Sequence, residues 1–90
     1  MSDETILLDE EVKGVRAKEI IENETFKQAI KNLKDTYLNE MIKTNIQEDE
    51  ARKYLWMSYH NIDKIVAQLE QVMTTGALAR EQIKKIKTYS

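Results

Sequence analysis

The sequence contains no proline and only two glycines, Gly14 and Gly76, so almost nothing in it interrupts a continuous backbone. Turn-rich β architectures need residues that accept tight-turn geometry at frequent intervals, and this chain does not supply them. Long helices are the consistent alternative. Charged residues make up 33% of the chain and hydrophobic residues 41%, which suits helices that each bury one face. The predicted class is all-α. Ninety residues allow one domain at most, and a chain of that size buries only about two-thirds of its unfolded surface. With no cysteine, neither disulfides nor thiolate metal sites can make up the deficit. Self-association is the remaining common remedy.

Periodicity divides the chain into three helices. Residues 1–8 read as a flexible acidic N-terminus, and residues 9–90 as one helical domain with helices near 9–22, 25–43 and 47–87. Asp9 is the expected N-cap of the first, with Glu10 and Glu11 where a helix start favours negative charge. Its apolar positions, Val12, Val15, Ile20 and Ile21, form an untidy stripe, and Gly14 costs it about 1 kcal/mol relative to alanine. Asn23-Glu24-Thr25 then offers fresh caps. In the second helix Phe26, Ala29, Ile30, Leu33, Tyr37 and Met41 fall on one side, widened by Leu38 and Ile42. Lys27, Lys31, Lys34 and Asp35 take the other. Thr44-Asn45-Ile46-Gln47 is the best connector in the chain. Thr44 with Gln47, or Asn45 with Glu48, spells a capping box. Glu48–Arg52 and Asp49–Lys53 are spaced as i,i+4 ion pairs. So short a connector implies an antiparallel hairpin.

The third helix carries the strongest pattern: Ala51, Leu55, Ser58, Ile62, Ile65 or Val66, Leu69 and Val72 or Met73. The register runs on past Gly76, placing Leu69, Gly76 and Ile83 at one heptad position and Val72, Ala79 and Ile86 at the other. Gly76 is either a C-terminal stop or a small residue inside one helix of about 60 Å; a break there would need a second cap that only Thr75 could supply. The second helix covers half of such an arm. The seam of Leu69, Val72, Met73, Gly76, Ala79, Ile83 and Ile86 is therefore expected to meet another copy of the chain.

The stretch from Tyr54 to His60 is apolar almost all round the helix. Trp56 and His60 point about 100–140° away from Leu55, with Met57 further round. Two readings follow. Either the first helix covers this side and completes a three-helix core, or Tyr54, Trp56, Met57, Tyr59 and His60 form an exposed patch that anchors a partner, since aromatics and methionine are enriched at interface cores.

Residues for catalysis are sparse. His60 is the only histidine, and there is no Gly-x-Ser-x-Gly or phosphate-binding glycine loop. Met57 stands three residues before His60 where a di-iron helix bundle would need glutamate. No catalytic, cofactor or metal-binding residue is expected, and no small-molecule substrate. The net charge of −2 conceals an asymmetry, about −5 over residues 1–24 and +3 over residues 76–90. Arg80, Lys84, Lys85 and Lys87 could touch phosphate, though lysines near a helix C-terminus also answer its dipole, and nucleic-acid domains are usually far more basic. No apolar run reaches the roughly 18–20 residues of a membrane span. The expected location is the cytoplasm.

Two stretches carry a resemblance. They are LDEEVKGVRAKEIIENETFKQAIKNLKDTYLNEMIKT, from Leu8 to Thr44, and ARKYLWMSYHNIDKIVAQLEQVMTTGALAREQI, from Ala51 to Ile83. An acidic opening with Gly14-Val15-Arg16-Ala17 leads to a Phe-led helix, a polar connector, a Leu-Trp segment and a Leu-Glu ending with Gly76. In this the chain resembles small helical proteins of tailed bacteriophages and prophages, often encoded near head and packaging genes. The resemblance implies a host-cytoplasmic or virion-associated setting and transfers no functional residues. The function expected from all this is a non-enzymatic virion-assembly or DNA-packaging component, acting through self-association and contacts with phage or host proteins. The alternatives are a host-directed inhibitor docking through Trp56, Met57 and Tyr59, or a nucleic-acid adaptor resembling a terminase small subunit.

Overall fold

A computed structural model describes residues 3–89, all of them in helices or short connectors: α1 (Asp3–Glu22), α2 (Glu24–Lys43) and α3 (Asp49–Tyr89). The all-α class is as expected, and no strand occurs among the described residues. The helices pack in two units. One joins α1 to the part of α3 from Ala67 onward; the other, residues 23–66, joins α2 to the first part of α3.

In the first unit α1 begins at Asp3, not at Asp9. Asp3 and Glu4 occupy the first turn, where negative charge is favoured, while Asp9 is internal and pairs with Lys13 at 2.8 Å. Leu7, in these extra turns, is half-buried and lines a cleft with Ile86. Of the residues expected in a loosely ordered start, Met1 and Ser2 lie outside the described residues, as does Ser90 at the other end. The buried side of α1 also differs from the expected stripe. Gly14 and Ala17 are buried and Leu7 and Ile21 half-buried, whereas Val12, Val15 and Ile20 are exposed.

The partner of that row is the seam of α3. Gly76, Ala79 and Ile83 are buried, and Leu69, Val72 and Met73 half-buried. The seam expected to meet another copy is thus occupied by α1 of the same chain; Ile86, at its end, stays 42% exposed. The two helices run antiparallel, and their closest approach is glycine on glycine. A methyl group on Gly14 would lie 2.7 Å from the Cα of Gly76 and 3.3 Å from the Val72 carbonyl oxygen. One on Gly76 would lie 2.6 Å from the Cα of Gly14 and 2.8 Å from the Glu10 carbonyl oxygen. Gly76 therefore neither stops α3 nor caps it. It keeps a helical backbone without positive φ, and its value lies in the side chain it lacks.

The second unit starts at Asn23, the single residue between α1 and α2. Its extended backbone breaks the helix, and its side-chain oxygen accepts from the Phe26 N–H at 2.9 Å. At the other end of α2, Thr44 is extended, and both its N–H (3.2 Å) and its hydroxyl (2.6 Å) donate to the Met41 carbonyl. The covered row on α2 is Phe26, Ile30, Lys34, Tyr37 and Met41. Lys34 was expected outside and lies in the seam, while Ala29, Leu33, Leu38 and Ile42 are exposed. On α3, Ile62 is buried, with Leu55, Tyr59 and Val66 half-buried; Ala51 and Ile65 are exposed.

The connector is held by Arg52. One guanidinium nitrogen donates to the Thr44 hydroxyl at 2.9 Å and to the Asn45 carbonyl at 2.7 Å, and the other pairs with Asp49. Of the two expected capping boxes, half of one forms: Glu48 accepts from the Asn45 N–H at 3.1 Å, while the Asn45 side chain turns to the Gln47 N–H at 2.9 Å. The expected i,i+4 pairs are replaced by i,i+3 pairs, Asp49–Arg52 and Glu50–Lys53, because Arg52 reaches back to the connector and Glu48 is engaged as a cap.

Two outcomes follow. Helix propensity alone would make Gly14→Ala or Gly76→Ala stabilising by about 1 kcal/mol; with opposing backbone in the way we expect each to destabilise by about 2 kcal/mol net, read by urea unfolding. Arg52→Ala should cost about 1–2 kcal/mol, and Arg52→Lys should restore little of it, because an ammonium cannot supply the same planar fork.

Candidate functional site

The α2–α3 hairpin is clasped at two levels. At one, the Lys34 ammonium donates to Asp63 at 2.6 Å and lies 5.0 Å from the centre of the Tyr59 ring. At the other, Arg52 binds Thr44. Between these levels the same side of the hairpin carries two rows at i,i+4 spacing, one turn of helix apart. On α2 the row from Lys34 continues through Leu38 to Ile42. On α3 the row from Arg52 continues through Trp56 to His60, which leads to Asp63.

Little covers this face. Ile42 is 74% exposed and Trp56 56%, with Leu38 also exposed. Trp56 nonetheless touches its neighbours: its ring centre lies 4.2 Å from that of His60 at a tilt of 52°, and His60 meets Tyr59 edge-on at 5.4 Å. The three rings form a relay from the exposed Trp56 to the half-buried Tyr59, on which Lys34 rests. An indole held this way presents a large apolar surface with little rotamer freedom to lose on binding.

The expected partner patch is therefore only partly one surface. Trp56, Tyr59 and His60 belong together, and Met57 is exposed next to them. Tyr54 is 69% exposed but stands two residues, hence about 200°, from Trp56 on the helix. Trp56, in the unit made of α2 and the first part of α3, is left more than half exposed. Leu38 and Ile42 were missed as members of the site. Their sequence signal is two apolar residues on the edge of the α2 stripe, a pattern that equally fits a widened core.

The residues expected to touch phosphate are divided. Arg80 and Lys84 line a groove of about 460 Å³ between α1 and α3, at whose edge the exposed Val15 also lies. Acids answer both bases there, Glu11 beside Arg80 at 4.0 Å and Glu81 beside Lys84 at 3.5 Å. Lys85 lines a separate cleft with Asp3 and Leu7, and Lys87 is exposed. Among the described residues no three acidic or histidine side chains are placed to hold a metal ion, and no helix is long and apolar enough to cross a membrane.

The hydrogen bond to Asp63 holds the Lys34 ammonium above the ordinary lysine value of 10.5, against partial burial that pulls the other way. A raised folded-state value means that the contact stabilises the hairpin below pH 10.5 and that this contribution is lost as pH rises beyond it. Thermal melts between about pH 9 and 11.5 should show the loss in the wild type and a shallower one in Asp63→Asn. No protein-family model, curated protein or solved structure matches the chain.

Proposed function

We propose that this protein is a non-enzymatic assembly component that works by self-association through an exposed helical face. The observation carrying the reading is how little of its apolar surface is covered. Among the described residues the buried hydrophobic ones are Ala17, Ile62, Ala79 and Ile83, and no large side chain is fully buried. Ile42, Trp56, Met57, Ile65 and Leu78 are each more than half exposed.

The bacteriophage resemblance supplies the setting in this proposal: a virion-assembly or packaging component in the host cytoplasm. Such a role requires repeated, specific contacts between identical or partner subunits, which exposed apolar helix faces can provide. Light scattering of the purified protein across concentration and salt tests the reading. A defined multiple of the 10.6 kDa chain mass is expected, little affected by salt because the contact is mainly apolar. A monomer at every concentration would overturn it.

A further inference from the structure

Self-association leaves open which face is used, and the Leu69–Ile86 seam is already occupied by α1. The outer side of α1 is the apolar face whose flanking charges name an occupant. Leu8, Val12 and Val15 are 45%, 49% and 53% exposed. Their spacing of four and three residues puts them within about 60° of one another on the helix, opposite the buried Ala17. Resting on the self-association proposed above, we infer that α1 of a second copy covers this strip, running antiparallel, with a two-fold axis at Val12.

The order of charge along α1 selects this occupant and its direction. Asp9 and Arg16, about two turns apart, border the strip beside Val12; Glu4, Glu11 and Lys18 border it on the other side. On both borders the acid comes before the base. A parallel copy would set each charge beside its like, and a partner of one sign throughout would match half of a border and repel the other half. An antiparallel copy turned about Val12 sets Asp9 of each chain against Arg16 of the other, and Leu8 against Val15. Each of these pairs is level to within about one residue's rise, and the two-fold makes each contact twice. Among the described residues Arg16 makes no ion pair or hydrogen bond within its chain. Asp9 meets Lys13 at 2.8 Å, and a carboxylate can accept from both bases. Glu11, nearest the axis on its border, is answered by Arg80 at 4.0 Å. Glu19 ends the strip and comes level with Glu4 of the other copy, so that border adds little and Asp9–Arg16 carries the selection. The apolar strip supplies the affinity, and the charges fix partner and direction.

The test uses the full chain carrying Asp9→Arg, Arg16→Glu, or both, at positions that are exposed, so folding is little disturbed. Association is read by light scattering across concentration at low ionic strength, where surface charge is least screened. Each single reversal places like charges together twice and should weaken association roughly tenfold. The double variant restores opposite charges and should recover the wild-type affinity. An equimolar mixture of the two single variants should also associate more tightly than either alone, because each then meets its opposite. If the single variants associate as the wild type does, the face is wrong though self-association stands. If they weaken but neither the double variant nor the mixture recovers, α1 does not meet an antiparallel copy and the inference falls. If the wild type stays monomeric at every concentration, both proposals fall.

Discussion

Everything in the first unit depends on the absence of two side chains. Gly14 and Gly76 let two helix backbones approach so closely that a methyl group on either would sit inside the other's backbone contact distance. That approach compensates for a weakness in α1. Its valines point outward, and the row it buries is short of large residues: Leu7, Gly14, Ala17 and Ile21. A helix with so little apolar area to bury gains instead from dispersion along a tight contact, where many atom pairs each contribute about 0.1–0.2 kcal/mol. The roughly 1 kcal/mol that each glycine costs its helix is offset in this way.

The second unit solves the same problem differently. It has no glycine, and the half-buried Phe26, Ile30, Tyr37 and Met41 of α2 form a row of large side chains, as the buried Ile62 and half-buried Leu55, Tyr59 and Val66 do on α3. Polar clasps fix its ends. Lys34 enters the seam because its long stem can lie along apolar surface while the ammonium reaches Asp63. A two-helix hairpin has only one covered stripe per helix, so apolar residues to either side stay in water. Trp56, Leu38 and Ile42 are therefore exposed for a topological reason. Their burial needs a third layer, and residues 23–66 do not contain one.

The helices and the hairpin connector were legible in the residues because their signals are local: the 3.6-residue period, the Asn23 cap, and the polar run from Thr44 to Gln47. Continuity through Gly76 was only half legible: the heptad seam runs on beyond it without a shift, but a glycine there also reads as a C-terminal stop. What covers that seam was not legible. α1 hides its packing face, because glycine and alanine register as weakly apolar while the solvent-facing Val12 and Val15 register as core. Two isolated glycines, each on a row spaced three and four residues apart, were the available clue, but nothing local says that they meet. The candidate site was half legible for a similar reason. Trp56 and His60 stood out as a cluster, while Leu38 and Ile42 looked like core until the seam was seen to run through Lys34.

The two units also differ in how far along the chain their contacts reach. The hairpin is built from near neighbours: Arg52 reaches eight residues back to Thr44, and Lys34 twenty-nine forward to Asp63. The glycine contact joins positions 14 and 76. Contacts that close longer loops form more slowly. During synthesis, which proceeds from the N-terminus, α2 and the first part of α3 can pair while the ribosome still holds Ala79 and Ile83. α1 must wait for Gly76 to emerge before its own glycine finds a partner. A chain that has made the hairpin contacts but not yet the glycine contact would leave Leu7 and Ile21 of α1 uncovered, and chaperones that bind apolar helices would meet it there.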